Sequence, residues 1–289
     1  YNFLSIFVFA ARRLGYNLGL MAGTALGLIA AVALVMSVPL YADAVNYRLM
    51  SRALVEQDQS SKRPPFAFMF RYIASWHGAV DWAAFEKADR FFADECANVL
   101  GLPLEFDTRY VKTDNLRLYP SGVTSYSDPR QMLDRVAIGF IGNLAGHVRV
   151  VEGRLPAPQS EDDPAPIEVM VTEGKAIELG IMVGEEFILL AEERKGQVEQ
   201  EQITARIVGV WRPINQDDPF WFYRPTAFDS TFLTDAESFA ARVAPAIKNP
   251  VYLALWYLVF DGRSVHTEDV PGFMGRASLV STLADKSLP

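Results

Sequence analysis

The chain has 289 residues, 50% of them hydrophobic and 21% charged, enough for about two packed domains and too apolar for wholesale disorder. With 35 acidic against 27 basic residues the net charge is −8, which argues against non-specific nucleic-acid binding, since that needs a basic surface. A single cysteine, Cys96, excludes an intramolecular disulfide framework.

Residues 1–13, "YNFLSIFVFAARR", read as a short basic amphipathic lead-in lying at a membrane surface. Residues 14–42 then carry no charge. That is about 29 residues where about 20 suffice to cross a bilayer. Gly19, Gly23, Thr24 and Gly27 recur as in helices that pack closely inside membranes, and Tyr16 and Tyr41 sit near the two ends. A transmembrane helix is expected, with Pro39 placed to kink or stop it. A cleaved signal peptide would have a shorter apolar core, although "YADA" mimics a cleavage site. Arg12 and Arg13 before the span put the N-terminus in the cytoplasm and everything from about residue 43 outside a prokaryotic plasma membrane. The 25 basic and 35 acidic residues that follow give that part a charge of −10. A start on Tyr1 rather than Met fits a piece of a longer chain.

Residues 43–63 extend the helix into a polar linker, which Pro64-Pro65 ends. "FAFMFRYIA" (66–74) reads as a buried strand. Asp81 caps a helix whose apolar face carries Trp82, Phe85, Phe92, Cys96 and Val99, and Gly101 closes it. Cys96 lies on that face and reads as a small core hydrophobe. A strand pair is expected over "LEFDTRYVKTD" and "NLRLYPS", then strands over 135–143 and 147–156.

A charged loop, "APQSEDDPAP", follows. Next comes "EVMVTEGKAIELGIMVGEEFILL" (168–190), read as strand, short helix, glycine turn and strand, and then the alternating strand "EQITARIVGVWRP" (201–213). Thr234 and Glu237 have capping-box spacing and predict a helix start. "NPVYLALWYLVFDG" (249–262) is a strong strand, and a last helix is expected over 274–285. The pattern is α+β. A mixed α/β subdomain is split between 64–146 and 214–289, around a smaller β-rich subdomain at 147–213.

Catalytic, cofactor and metal sites are looked for and none is found. Gly174-Lys175 is followed by Ala176 with Val169 five residues before Gly174, so the phosphate-binding G-x-x-x-x-G-K-[ST] pattern is absent. His77, His147 and His266 stand at no metal-ligand spacing, and no serine sits in a G-x-S-x-G elbow. The carboxylates of "SEDDPAP" lack calcium-loop spacing and read as a solvated loop. "DDPFWFYRP" (217–225) has two readings: core filling between subdomains, or contact of Trp221 and Phe222 with a partner or the outer leaflet.

The order of these features resembles MacB/FtsX-type ABC transporter permeases, in the first membrane helix and the periplasmic core. The resemblance rests on Gly153-Arg154 before a strand, the short helix with Gly180 and Val183-Gly184, and the strand end Val208-Gly209-Val210. Glu185 stands where the family's turn has Asp. It covers the N-terminal 45 residues and about 147–213, and is weak over 64–146 and 214–289.

The resemblance implies a MacB-like periplasmic core and a non-catalytic permease subunit whose chain continues into three further membrane helices. It also implies a homo- or heterodimer, a separate cytoplasmic ABC ATPase, and an ectodomain that passes mechanical work across the membrane. Export, or control of an extracytoplasmic protein partner, is the output, with membrane lipids as surroundings. The alternative is a single-span membrane-anchored sensor or ligand-binding module.

Overall fold

The computed structural model describes residues 18–56, 64, 66–122, 131–191, 201–262, 265 and 269–287. The chain divides into two compact units. One holds residues 1–53 with 266–269, and the other 54–265 with 270–289.

Helix α1 (Leu18–Glu56), which belongs to the first unit as far as Ala53, runs for 39 residues, about 58 Å at 1.5 Å per residue. Pro39 does not stop it, and the helix runs on into the expected extension as far as Glu56. Leu26, Leu28, Ile29, Val32, Leu34, Val35, Met36 and Val38 are between 54% and 71% exposed. Ser37 turns its hydroxyl inward, donating to the Leu34 carbonyl at 2.8 Å. Among the described residues no helix is long and apolar enough to cross a membrane. Of the expected span, residues 14–17 lie outside the described residues, as do the side chains at 18, 20, 21, 39, 40 and 42. The lead-in 1–13 and residues 57–63 of the linker lie outside them too.

The second unit is built on one ten-stranded sheet. Strand β1 (Ala67–Ile73) leads by a one-turn helix, Ala74–His77, into α2 (Trp82–Arg90). Asp81 caps α2 by accepting the Ala84 N–H at 2.7 Å. A π-helical turn, Phe91–Glu95, joins α2 to α3 (Cys96–Leu100), which ends on Gly101 in the left-handed conformation. Strands β2 (Leu104–Lys112), β3 (Leu116–Pro120), β4 (Asp134–Ile141), β5 (Val148–Gly153) and β6 (Ile167–Thr172) follow. Helix α4 (Glu173–Leu179), then β7 (Glu186–Leu190), β8 (Gln202–Pro213), β9 (Thr231–Leu233), β10 (Leu253–Phe260) and helix α5 (Val270–Ser287) come next, with a helical stretch from Ala236 to Ala246 that contains a π turn between β9 and β10.

Half of the sheet is open, in the order β1-β10-β2. The other half closes on itself: β4 pairs β3, β3 pairs β7, β7 pairs β8, β8 pairs β6, β6 meets β9, and β9 returns to β4. The result is a six-stranded barrel sharing β4 with the open half through the β2–β4 pairing. This corrects two expectations. Strands β2 and β3 are not a hairpin, because β4 lies between them. The β-rich part is not confined to 147–213, because β3, β4 and β9 close it from outside that range.

The open half is covered through the alternation of β10. Trp256 stacks on Phe85 and Phe92 at 5.7 Å and 4.4 Å between ring centroids, which seats α2 and its π turn on one face. Phe273 of α5 meets Phe66 and Phe68 edge to face. Leu255, Tyr257 and Val259 point to the opposite face, as the two-residue period requires. There they join Tyr110, Trp211, Trp221, Phe222 and Phe228 in one buried cluster.

Candidate functional site

Gly153, Arg154 and Gly209 meet where β5 passes β8. Strand β5 pairs β8 with Gly153 opposite Gly209, next to a bulge at Val150/Glu152. Gly153 has φ +77°, and a Cβ there would lie 2.1 Å from the Val208 carbonyl oxygen. A Cβ on Gly209 would lie 2.2 Å from the Arg154 carbonyl oxygen. Both glycines are therefore set by close passage of two backbones. The Arg154 N–H donates to Val208 O at 2.8 Å, and its guanidinium grips Glu168 at the start of β6 with two bonds of 2.6 Å and 2.5 Å. Glu168 also accepts the Ala157 N–H at 2.9 Å. Hydrogen bonding from Arg154, against the opposing effect of burial, holds the Glu168 carboxyl below its ordinary value. The Gly-Arg element is thus a clamp between β5, β6 and β8.

Gly180 and Gly184 lie in the turn after α4. Gly180, at φ +67°, receives the end of α4. The Gly184 N–H donates to Ile207 O at 2.7 Å, and the Ile207 N–H returns a bond to Glu185 O at 2.9 Å. Glu185 accepts the Met182 N–H at 2.9 Å and so closes the turn. The Gly-Lys pair has a structural explanation. Lys175 is buried, and its ammonium bonds Asp134 and Glu178, each at 2.8 Å, tying α4 to the first residue of β4.

Trp221 and Phe222 correct one of the two readings made from sequence. They are 6% and 0% exposed and sit in the aromatic cluster. Trp221 lies nearly parallel to Trp211 at 6.0 Å and donates its indole N–H to Asn215 O at 2.9 Å. Neither offers a surface to a partner or a lipid leaflet. They are core-filling residues. Beside them His147 stacks flat on Phe220, centroids 3.7 Å apart, with its Nδ1 2.8 Å from Asp218.

Sequence reasoning missed one feature. A cleft of about 420 Å³ opens where the open sheet meets the barrel. It is lined by Asp107, Thr108 and Arg109 of β2, by Ile141, Leu144 and Met170, and by Leu155, Pro156, Thr234 and Asp235. These residues come from separate segments, so no local motif announces the cleft. Among the described residues no group of histidine, cysteine and carboxylate side chains is placed to hold a metal ion. The "SEDDPAP" loop is ordered by Gln159, whose side chain bonds Glu168 N, Pro166 O and Asp163.

No protein-family model matches this sequence. No curated protein matches it either. Among solved structures, a crystallised domain from Porphyromonas gingivalis that carries the provisional description of a permease domain is similar over 58% of this chain and 67% of its own, at 12% identity and a TM-score of 0.32. A likeness of that size does not establish a common fold or a common activity.

Proposed function

We propose that this chain is the first membrane helix and the ectodomain of a permease subunit in an ABC system of MacB/FtsX type. The observation that carries the reading is the charge-free run of residues 14–42 in the sequence, although among the described residues no helix is long and apolar enough to cross a membrane. Eight large apolar side chains between Leu26 and Val38 are left uncovered on a helix that continues to Glu56. Exposing that much apolar surface to water is unfavourable by roughly 25 cal/mol per Å², and a lipid environment removes the cost. An acidic α/β unit follows it in the chain, with its helices, barrel and glycine clamp. In this reading ATP hydrolysis belongs to a separate cytoplasmic ABC ATPase, and Lys175 of the Gly-Lys pair serves an ion pair with Asp134. The ectodomain works by moving, not by catalysis, and the permease acts as a dimer.

The test is purification of the full-length protein from native membranes. It is expected to extract only with detergent and to bring an ABC ATPase whose turnover it alters. Recovery in the aqueous fraction, or no ATPase association in detergent that preserves other ABC complexes, overturns the reading.

A further inference from the structure

We propose that the outer edge of β1 takes up an extended peptide segment of another protein, one with an acidic residue flanked at two-residue spacing by apolar ones. The proposal concerns the second unit alone and is independent of the permease reading. Strands β1 and β5 are the described strands with a single neighbour, β10 and β8 respectively. Their free edges differ. Strand β5 is broken by the bulge at Val150/Glu152 and carries Arg149 and Glu152, devices that discourage a further strand. Strand β1, "AFMFRYI", pairs β10 in unbroken register and has one charge, Arg71. The Phe260 N–H donates to Phe66 O at 3.2 Å, and the Ala74 N–H to Tyr252 O at 2.8 Å. In an antiparallel ladder alternate residues bond the same neighbour, so Phe66, Phe68, Phe70, Tyr72 and Ala74 turn their backbone to β10. Met69 and Arg71 therefore turn N–H and C=O outward, beside the Ala67 C=O and the Ile73 N–H. Such an edge is a template for one more strand.

Arg71 defines the occupant by charge. It is exposed, and its guanidinium makes no ion pair or hydrogen bond among the described residues. Ala67 and Met69 pack on the aromatic cluster, and the two-residue period puts Arg71 on the same face, opposite Leu255. On an added strand the residue facing Arg71 has its Cβ about 5 Å away, and a carboxylate there completes the pair. The residues two before and two after it face Met69 and Ile73, which are half-buried and apolar, and are apolar in turn. The β1 strand of a second copy does not fit. It carries no acidic residue, and self-pairing would bring two Arg71 side chains together.

The fluorescein-labelled peptide Ser-Val-Thr-Glu-Thr-Val-Ser, amidated at its C-terminus, tests the proposal. One counterpart has lysine for glutamate. Another is N-methylated at the glutamate and both valines, whose N–H groups would face β1. Each is titrated into the full-length protein in detergent and binding is read by fluorescence anisotropy. The glutamate peptide is expected to bind saturably, about tenfold more tightly than the lysine peptide, and the N-methylated peptide not at all. Arg71→Glu is expected to reverse the order of the glutamate and lysine peptides without lowering the melting temperature. Hydrogen exchange read by mass spectrometry is expected to slow over 67–73, and not over β5, when the glutamate peptide is present. Four results overturn the proposal: no saturable binding, equal binding of the N-methylated peptide, an order unchanged by Arg71→Glu, or slowed exchange at β5 and not at β1. Exchange over 67–73 that slows with protein concentration alone assigns the edge to a second copy and overturns it too.

Discussion

Gly209 passes so close to Arg154 that a single added methyl group would lie 2.2 Å from the Arg154 carbonyl oxygen. Both partners are backbone in paired strands, so nothing flexible can give way. Gly209→Ala must part β5 from β8 and disturb the Arg154–Glu168 clamp beside it. A loss of about 1–3 kcal/mol is expected from overpacking alone. Gly174→Ala is the control. It sits in α4, where a Cβ meets nothing within 4 Å, and a gain of roughly 0.5–1 kcal/mol is expected. Urea denaturation of both variants checks the pair; equal effects would refute the steric account.

Lys175 and Asp134 give an asymmetric prediction. The Lys175 side chain is 8% exposed and that of Asp134 33%. Burial opposes ionisation of Asp134, but the bond from Lys175 and the Arg135 N–H outweigh it and hold its carboxyl below the ordinary value. Asp134→Asn leaves a buried ammonium with Glu178 alone, at an expected cost of about 1–3 kcal/mol. Lys175→Met removes the buried charge and leaves a carboxylate that water can reach, so its cost is smaller. A double-mutant cycle measures the coupling. The opposite ranking would show that the ammonium is better hydrated than its burial indicates.

These cases mark what was legible in the sequence. Local patterns placed the elements well. The aromatic run at 66–74 became β1, Asp81 did cap its helix, and the apolar run at 249–262 became β10. Caps were legible only to within a residue, since Asp235 and not Thr234 accepts the Glu237 N–H. Pairing was not legible. Strands β2 and β3 are neighbours in sequence, yet β4 separates them, because sheet order is decided by burial across the whole barrel and not by periodicity in one segment. The same limit hid the cleft, whose residues lie as far apart as Asp107 and Asp235. The aromatic stretch 217–225 looked alike as core or as contact surface, and composition alone could not separate the two.

His147 and Asp218 link the start of β5 to the loop after β8, and their pairing makes stability depend on pH. Burial works against ionisation of Asp218, but the Phe220 N–H and His147 more than offset it, so its folded-state value lies below the ordinary one. The contribution is therefore present above about pH 4, the unfolded value, and is lost as pH falls through the lower folded value. Asp218→Asn is expected to cost about 0.5–1 kcal/mol near neutral pH, a pair of this exposure being partly screened by solvent. The gap between variant and wild type should close in strong acid. Thermal melts across that range check it, and a gap that persisted below the folded value would exclude an ionic origin.

Cys96 lies on the inner face of the helix that follows Asp81, at 0% exposure, where α3 begins. Burial pushes its thiol up to about 11, so at mildly alkaline pH it stays protonated and is a poor nucleophile. Inaccessibility and protonation act in the same direction. A thiol reagent such as Ellman's is expected to modify the native protein only slowly and to react at once in denaturant. In the native protein the slow reaction that remains should then track opening of the helix from the sheet, and Phe92→Ala, which removes a ring stacked on Trp256, should speed it. Cys96→Ala should be nearly silent, whereas Cys96→Ser buries a hydroxyl in an apolar site at a cost of about 1–3 kcal/mol. Native labelling as fast as in denaturant would contradict the packing of α3 against the sheet.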